Sequence, residues 1–282
     1  MKTYLVPIDF SHASVHAAEF AAELSKQTNV EHIVLLNAYY VSPYETMLPN
    51  PDMVLLREEE IEQNVADRIK KLEHLKHKLS KLVRDGVKIT THLNRSHLLR
   101  AVVENVIAKN ADVVILGSKG NTSKDDSQIG SHVINISKAS PVPVIVVPPA
   151  YNFKTIERVI VACDFNKVKE TVPLEALKKL LDRKKFELLI VNIDNETKHL
   201  AGDAERRAEE TALHGMLKQY HPKYYYINNP DIINGILKFA ADNNAQLVIA
   251  LPHKYSFFQS ILHDSVSQQL AESAAVPVLL LK

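Results

Sequence analysis

A single cysteine, Cys163, rules out an internal disulfide framework and fits a reducing compartment. No apolar run approaches the ~20 residues needed to cross a bilayer. Formal net charge is +1, so no overall field draws the chain to nucleic acid or to an acidic membrane. The opening MKTYLVPIDFSHAS holds a short apolar run ended by Asp9 and reads as a first strand rather than a signal peptide. These absences lead to the expectation of a cytoplasmic protein without membrane or nucleic-acid partners. Motifs are missing as well. There is no G-x4-G-K followed by Ser or Thr, and no G-x-G-x-x-G. No nucleophile–base pair stands in a recognisable frame, so no catalytic residue is assigned. The thirteen histidines are scattered. His74 and His77 lie one helical turn apart, without the third ligand that zinc requires, so no metal ligand is assigned.

What is present is alternation. Short apolar runs at residues 2–9, 32–40, 87–94, 113–116 and 142–147 read as strands. Between them lie helical patterns. One starts at Ser11, a good N-cap. A long one covers residues 57–84 after a loop containing Pro43, Pro49 and Pro51, with Asp85-Gly86 as its stop; another covers residues 98–109. Strand–helix alternation predicts right-handed crossovers and a doubly wound parallel sheet.

The pattern then repeats. Residues 159–164 (VIVACD) mirror the first strand, and Asp164 lies 155 positions after Asp9. Asn244 lies 134 positions after Asn110, and Pro277 lies 134 after Pro143. The expectation is two tandem α/β domains, residues 1–150 and 151–282, and the fall in offset from 155 to 134 means 21 residues fewer between the matched positions of the second copy. Cys163 is expected inside a buried strand. In Tyr224-Tyr225-Tyr226, alternate tyrosines should face opposite sides of their strand.

Glycine is scarce, seven in 282 residues, yet three fall between Leu116 and Ser131. Gly117, Gly120, Gly130 and Ser131 form the frame G-x2-G-x9-G-S after an apolar run and before a helical one. Such a turn lets the backbone approach a ligand, and the helix N-terminus beyond it favours an anion. It can equally be a plain surface turn. The offset of 134 converts the three glycines to Leu251, Lys254 and Asp264, while Ser131 becomes Ser265. Asp264 would cap its own helix and repel phosphate. The second copy keeps the strands and helix without the glycines, which points to a ligand role for those of the first copy.

The frame, the strand VPIDFS and the closing PVPVIVV together resemble the universal stress protein family over essentially the whole chain. The resemblance implies two tandem Rossmann-like domains of universal stress type and ATP as ligand of the one with the full frame. Carried over, Asp9 would sit beside adenine or ribose, and Ala38 would line the base pocket. Gly117, Gly120, Gly130 and Ser131 would hold ribose and phosphates, with Val133 nearby. Asp125 and Asp126 could weaken phosphate binding or hold Mg²⁺. It also implies that the last strands of the two domains pair, making an intramolecular pseudo-dimer, with a homodimer and a protein partner left open. Three readings follow: a regulatory ATP-binding protein, a slow ATP hydrolase, or a nucleotide-free scaffold using the loop at residues 41–56.

Overall fold

The computed structural model describes residues 2–41, 51–118, 131–163, 168, 186–194, 204–251, 270 and 274–281. Of residues 51–57, 131, 194 and 204–207 only the backbone is described. The first half runs β1 (Thr3–Pro7), α1 (His12–Leu24), β2 (His32–Ala38), α2 (Pro51–Leu79), β3 (Lys88–Asn94), α3 (Leu98–Ala108), β4 (Val113–Gly117), α4 (Ser131–Ala139) and β5 (Val144–Val147). The second runs β6 (Arg158–Ala162), β7 (Glu187–Asp194), α5 (Ala204–Leu217), β8 (Lys223–Asn228), α6 (Ile232–Asp242), β9 (Leu247–Ala250) and β10 (Val278–Leu280).

These strands form one sheet in the order β3-β2-β1-β4-β5-β10-β9-β6-β7-β8. Every pairing is parallel except one. β5 and β10 run antiparallel, with Val146 opposite Val278 and Val144 opposite Leu280. Their edges, apolar and otherwise open, cover each other. Side chains alternate across the sheet. On one face Phe20, Leu72 and Leu79 of α1 and α2 share a core with Leu213 and Leu217 of α5. On the other, Val102, Val106 and Ile136 of α3 and α4 join Ile236 and Phe239 of α6. Ile145 and Leu279 lie in the first core, Val146 and Leu280 in the second, so both cores cross the seam.

The repeat is visible bond by bond. Val114 N–H donates to the Pro143 carbonyl at 3.0 Å, and Val248 N–H to the Pro277 carbonyl at 3.0 Å. Ser140 donates to Ile136 and Ala274 to Leu270, both at 2.8 Å. Asn110 and Asn244, each just past a helix, both take φ 48°, the left-handed stop that asparagine tolerates.

Several boundaries differ from the sequence expectation. α2 begins at Pro51, so residues 51–56 are helical rather than loop. Proline at a first helical position has no N–H to lose and a preset φ. The same helix ends at Leu79, five residues before Arg84. Leu82 and Val83 keep the apolar spacing and pack on the core, but their amides both turn back to the Leu79 carbonyl. Arg84 closes that turn on the segment between α1 and β2, donating to the carbonyls of Ser25 at 3.2 Å and Val30 at 2.7 Å. Cys163 lies one residue past β6 and is half-buried, not inside the strand. The repeat also leads one to expect a helix at residues 168–181, matching α1, and it lies outside the described residues but for Val168. The tyrosines alternate as expected. Tyr224 stacks on His214, Tyr225 packs on Phe239, and Tyr226 is exposed, its hydroxyl donating to Glu210. Burial pushes the Tyr224 hydroxyl up to about 12.

Candidate functional site

In the first half every strand is parallel, so all carboxyl ends share one edge. The chain lays β2 and β3 to one side of β1 and β4 and β5 to the other. The order therefore switches between β1 and β4, where a crevice opens at the carboxyl ends of such sheets.

The turn after β1 is tightly held. Asp9 is exposed, and its Oδ1 accepts from the Ser11 N–H at 2.9 Å and the Ser11 hydroxyl at 2.5 Å. Ser11 caps α1, accepting from the Ser14 N–H at 3.2 Å. Asp9 N–H donates to Ser14 Oγ at 3.3 Å. Phe10 takes φ 65°, uncommon for a bulky residue, and these bonds hold it there. Asp9 is thus a fixed acceptor at the switch point.

At the end of β2, Ala38 is half-buried on the α3 and α4 face, and its small side chain leaves the edge low. Its neighbour Asn37 points to the other face and is 1% exposed. The Asn37 amide donates to the Ile8 carbonyl at 2.6 Å, and its oxygen accepts from Arg68 at 3.1 Å. Asn192 repeats the first bond, donating to the Cys163 carbonyl at 2.8 Å. Sequence reading missed this pair. The signal was there: one asparagine in each of two apolar runs, 155 positions apart like Asp9 and Asp164. Beyond Ala38, Tyr40 stacks on His97 with ring centres 3.8 Å apart, forming an aromatic rim.

At the end of β4, Gly117 lies beside the first turn of α1. A Cβ there would lie 2.5 Å from the Ala13 carbonyl oxygen and 2.6 Å from its carbon. Gly117 therefore has a packing reason in this half, and its loss at Leu251 is not by itself a sign of a lost ligand. That corrects the contrast drawn between the copies, at this one position. Ser118, buried and also missed, donates its N–H to the Val147 carbonyl at 3.0 Å. α4 begins at Ser131, on this same edge. Val133 is 6% exposed within the core beneath α3 and α4. Asp9, Ala38, Gly117 and the start of α4 are thus brought to one edge. Gly120, Gly130, Asp125 and Asp126 lie outside the described residues. Among the described residues no group of three or more His, Cys, Asp or Glu could hold a metal ion. None of their helices is long and apolar enough to cross a membrane.

A family model described as the universal stress protein family matches residues 1–148 and 155–282. The chain belongs to the universal stress protein family. A universal stress protein of Methanocaldococcus jannaschii is 27% identical over 146 residues, which is 52% of this chain and 81% of that one. A crystal structure of an Archaeoglobus fulgidus universal stress protein is similar over 99% of this chain and 96% of its own, at 20% identity and TM-score 0.62. A Pseudomonas aeruginosa structure covers 100% of this chain and 93% of its own, at 12% identity and TM-score 0.59. At such identities the two structures speak for the fold.

In the second universal-stress segment the same edge is built differently. Leu251 follows β9 and packs half-buried against the α1 and α2 face. Asp164, Lys254, Asp264 and Ser265 lie outside the described residues.

Proposed function

We propose that the first half binds ATP, with Mg²⁺, as a regulatory ligand, while the second binds no nucleotide and completes an intramolecular pseudo-dimer. The division follows the sequence boundaries 1–150 and 151–282, and the compartment is the cytoplasm. The observation that carries this reading is the convergence of Asp9, Ala38, Gly117 and the α4 N-terminus on the edge where the strand order switches. Asp9 is an oriented carboxylate that can accept from ribose hydroxyls or an adenine amine. Ala38 leaves room for the base. Gly117, Gly120, Gly130 and Ser131 supply amides and a hydroxyl for ribose and phosphates, and Val133 supports the floor. The absence of a recognisable nucleophile–base frame favours binding over turnover, so bound nucleotide acts on shape and on a protein partner. The sheet seam already uses β5 and β10, so a homodimer would need another surface.

The test is calorimetric titration with Mg-ATP of the full chain, Asp9→Ala and Gly130→Asp. Gly117 is avoided, because a side chain there collides with α1. One site per chain, weakened in Asp9→Ala and lost in Gly130→Asp, is the expected result. Two sites per chain would overturn the assignment of the second half. A wild type that neither binds nor copurifies with nucleotide would overturn the ATP reading.

A further inference from the structure

Asn37 is buried, and both ends of its amide are in use. Its two partners fix its orientation, because the Ile8 carbonyl can only accept and the Arg68 guanidinium can only donate. Arg68 is itself seated, its Cζ 5.6 Å from the Tyr39 ring centre. Ile8 is gripped twice: its N–H donates to the Leu36 carbonyl at 2.7 Å, and its carbonyl accepts from Asn37. The next residue is Asp9, and the next, Phe10, holds a left-handed φ. A chain of bonds thus runs from α2 through β2 to the turn that carries the Asp9 carboxylate.

We propose that Arg68 is a positioning residue for the nucleotide site: through Asn37 it holds the Ile8–Asp9 peptide and sets the direction of the Asp9 carboxylate. The inference rests on the ATP reading above. Without Arg68 the buried amide oxygen loses its charged donor, and only the bond to the Ile8 carbonyl is left to hold the amide. The clamp loosens, and the strained turn relaxes.

The experiment is a double-mutant cycle read by Mg-ATP affinity, using Arg68→Met, Arg68→Lys, Asp9→Ala and the Arg68→Met/Asp9→Ala pair. Arg68→Met should weaken binding about tenfold, the range for a lost hydrogen bond to a charged group. Arg68→Lys should recover most of it. In Asp9→Ala the arginine change should add less than about twofold, because the two residues act as one unit. Additive losses would make Arg68 a direct ligand contact and overturn the proposal, as would an unchanged affinity in Arg68→Met. A second arm needs no nucleotide: nitrogen–proton NMR of the Asp9 backbone amide and the Asn37 side-chain amide. Both signals should move in Arg68→Met and return in Arg68→Lys; signals that stay put overturn the proposal. Should wild type bind no Mg-ATP, the functional reading falls, and this arm alone decides whether Arg68 sets Asp9. If Arg68→Met does not fold, Arg68→Gln replaces it in both arms.

Discussion

Gly117→Ala should destabilise the chain by about 1–3 kcal/mol, as overpacking does. The added methyl meets the Ala13 backbone, which belongs to a helix and cannot give way as a side-chain tip would. Chemical denaturation of the ligand-free protein measures it; an unchanged midpoint would show that α1 can stand off. Two histidines give a second prediction. His32 titrates below its usual range because burial disfavours its cation, with Lys88 and Lys109 adding repulsion. His92 is lowered by burial and then by Lys109. Both bind protons more tightly once unfolded, so their stabilising contribution is full above the ordinary value of 6.5 and is lost as pH falls through the lower folded values. Melting temperature should therefore drop as pH falls below the ordinary value of 6.5. His32→Gln/His92→Gln should flatten that slope, and a slope left intact would assign it to other groups. At this scale the sequence was partly legible. Ser11 announced itself as a cap because its type and place before an apolar helix are enough. Asn37 and Arg68 did not, because their meaning depends on α2 crossing the end of β2, a contact between residues 31 positions apart.

Elements were more legible than residues, since an apolar run and a helical period each reflect one neighbour: the core. α3 lies at Leu98–Ala108, within one residue of the 98–109 that the pattern gave. α2 did not keep its expected ends. Periodicity ran on through Leu82 after the backbone had tightened, and Pro51 looked like a loop residue until its place at a helix start was seen. The seam between β5 and β10 gives the prediction for this scale. Leu279 is fully buried, sits opposite Ile145, and lies in a core containing residues of both halves. Leu279→Ala should cost about 2–4 kcal/mol, the range for truncating a buried leucine. The linker follows the same logic. Tyr151 and Phe153 pack edge-on against Phe20, and the Ile156 N–H donates to Gln27 at 3.0 Å. A segment tied to α1 in this way should resist limited proteolysis as long as the seam holds, and Leu279→Ala should make it easier to cut.

For the whole molecule, one sheet and two shared cores mean that the halves cannot melt independently without exposing the seam. The repeat in the sequence, taken alone, suggests two separate folding units; the antiparallel pairing of β5 with β10 joins them into one. Calorimetric unfolding should accordingly show a single transition whose calorimetric and van't Hoff enthalpies agree. Nucleotide sharpens the test. A ligand that binds only the folded first half stabilises whatever unfolds with it, by about 2.7 kcal/mol at a free concentration one hundred times its dissociation constant. If the halves are coupled, Mg-ATP should raise the whole transition, including signals from Tyr224 and Tyr225 in the second half. If they are not, the trace should split, with the first-half component moving and the second staying in place. Coupling of this kind would give bound nucleotide a route to surfaces far from Asp9 without a second site, because its binding energy would be spread over every element that melts with the first half.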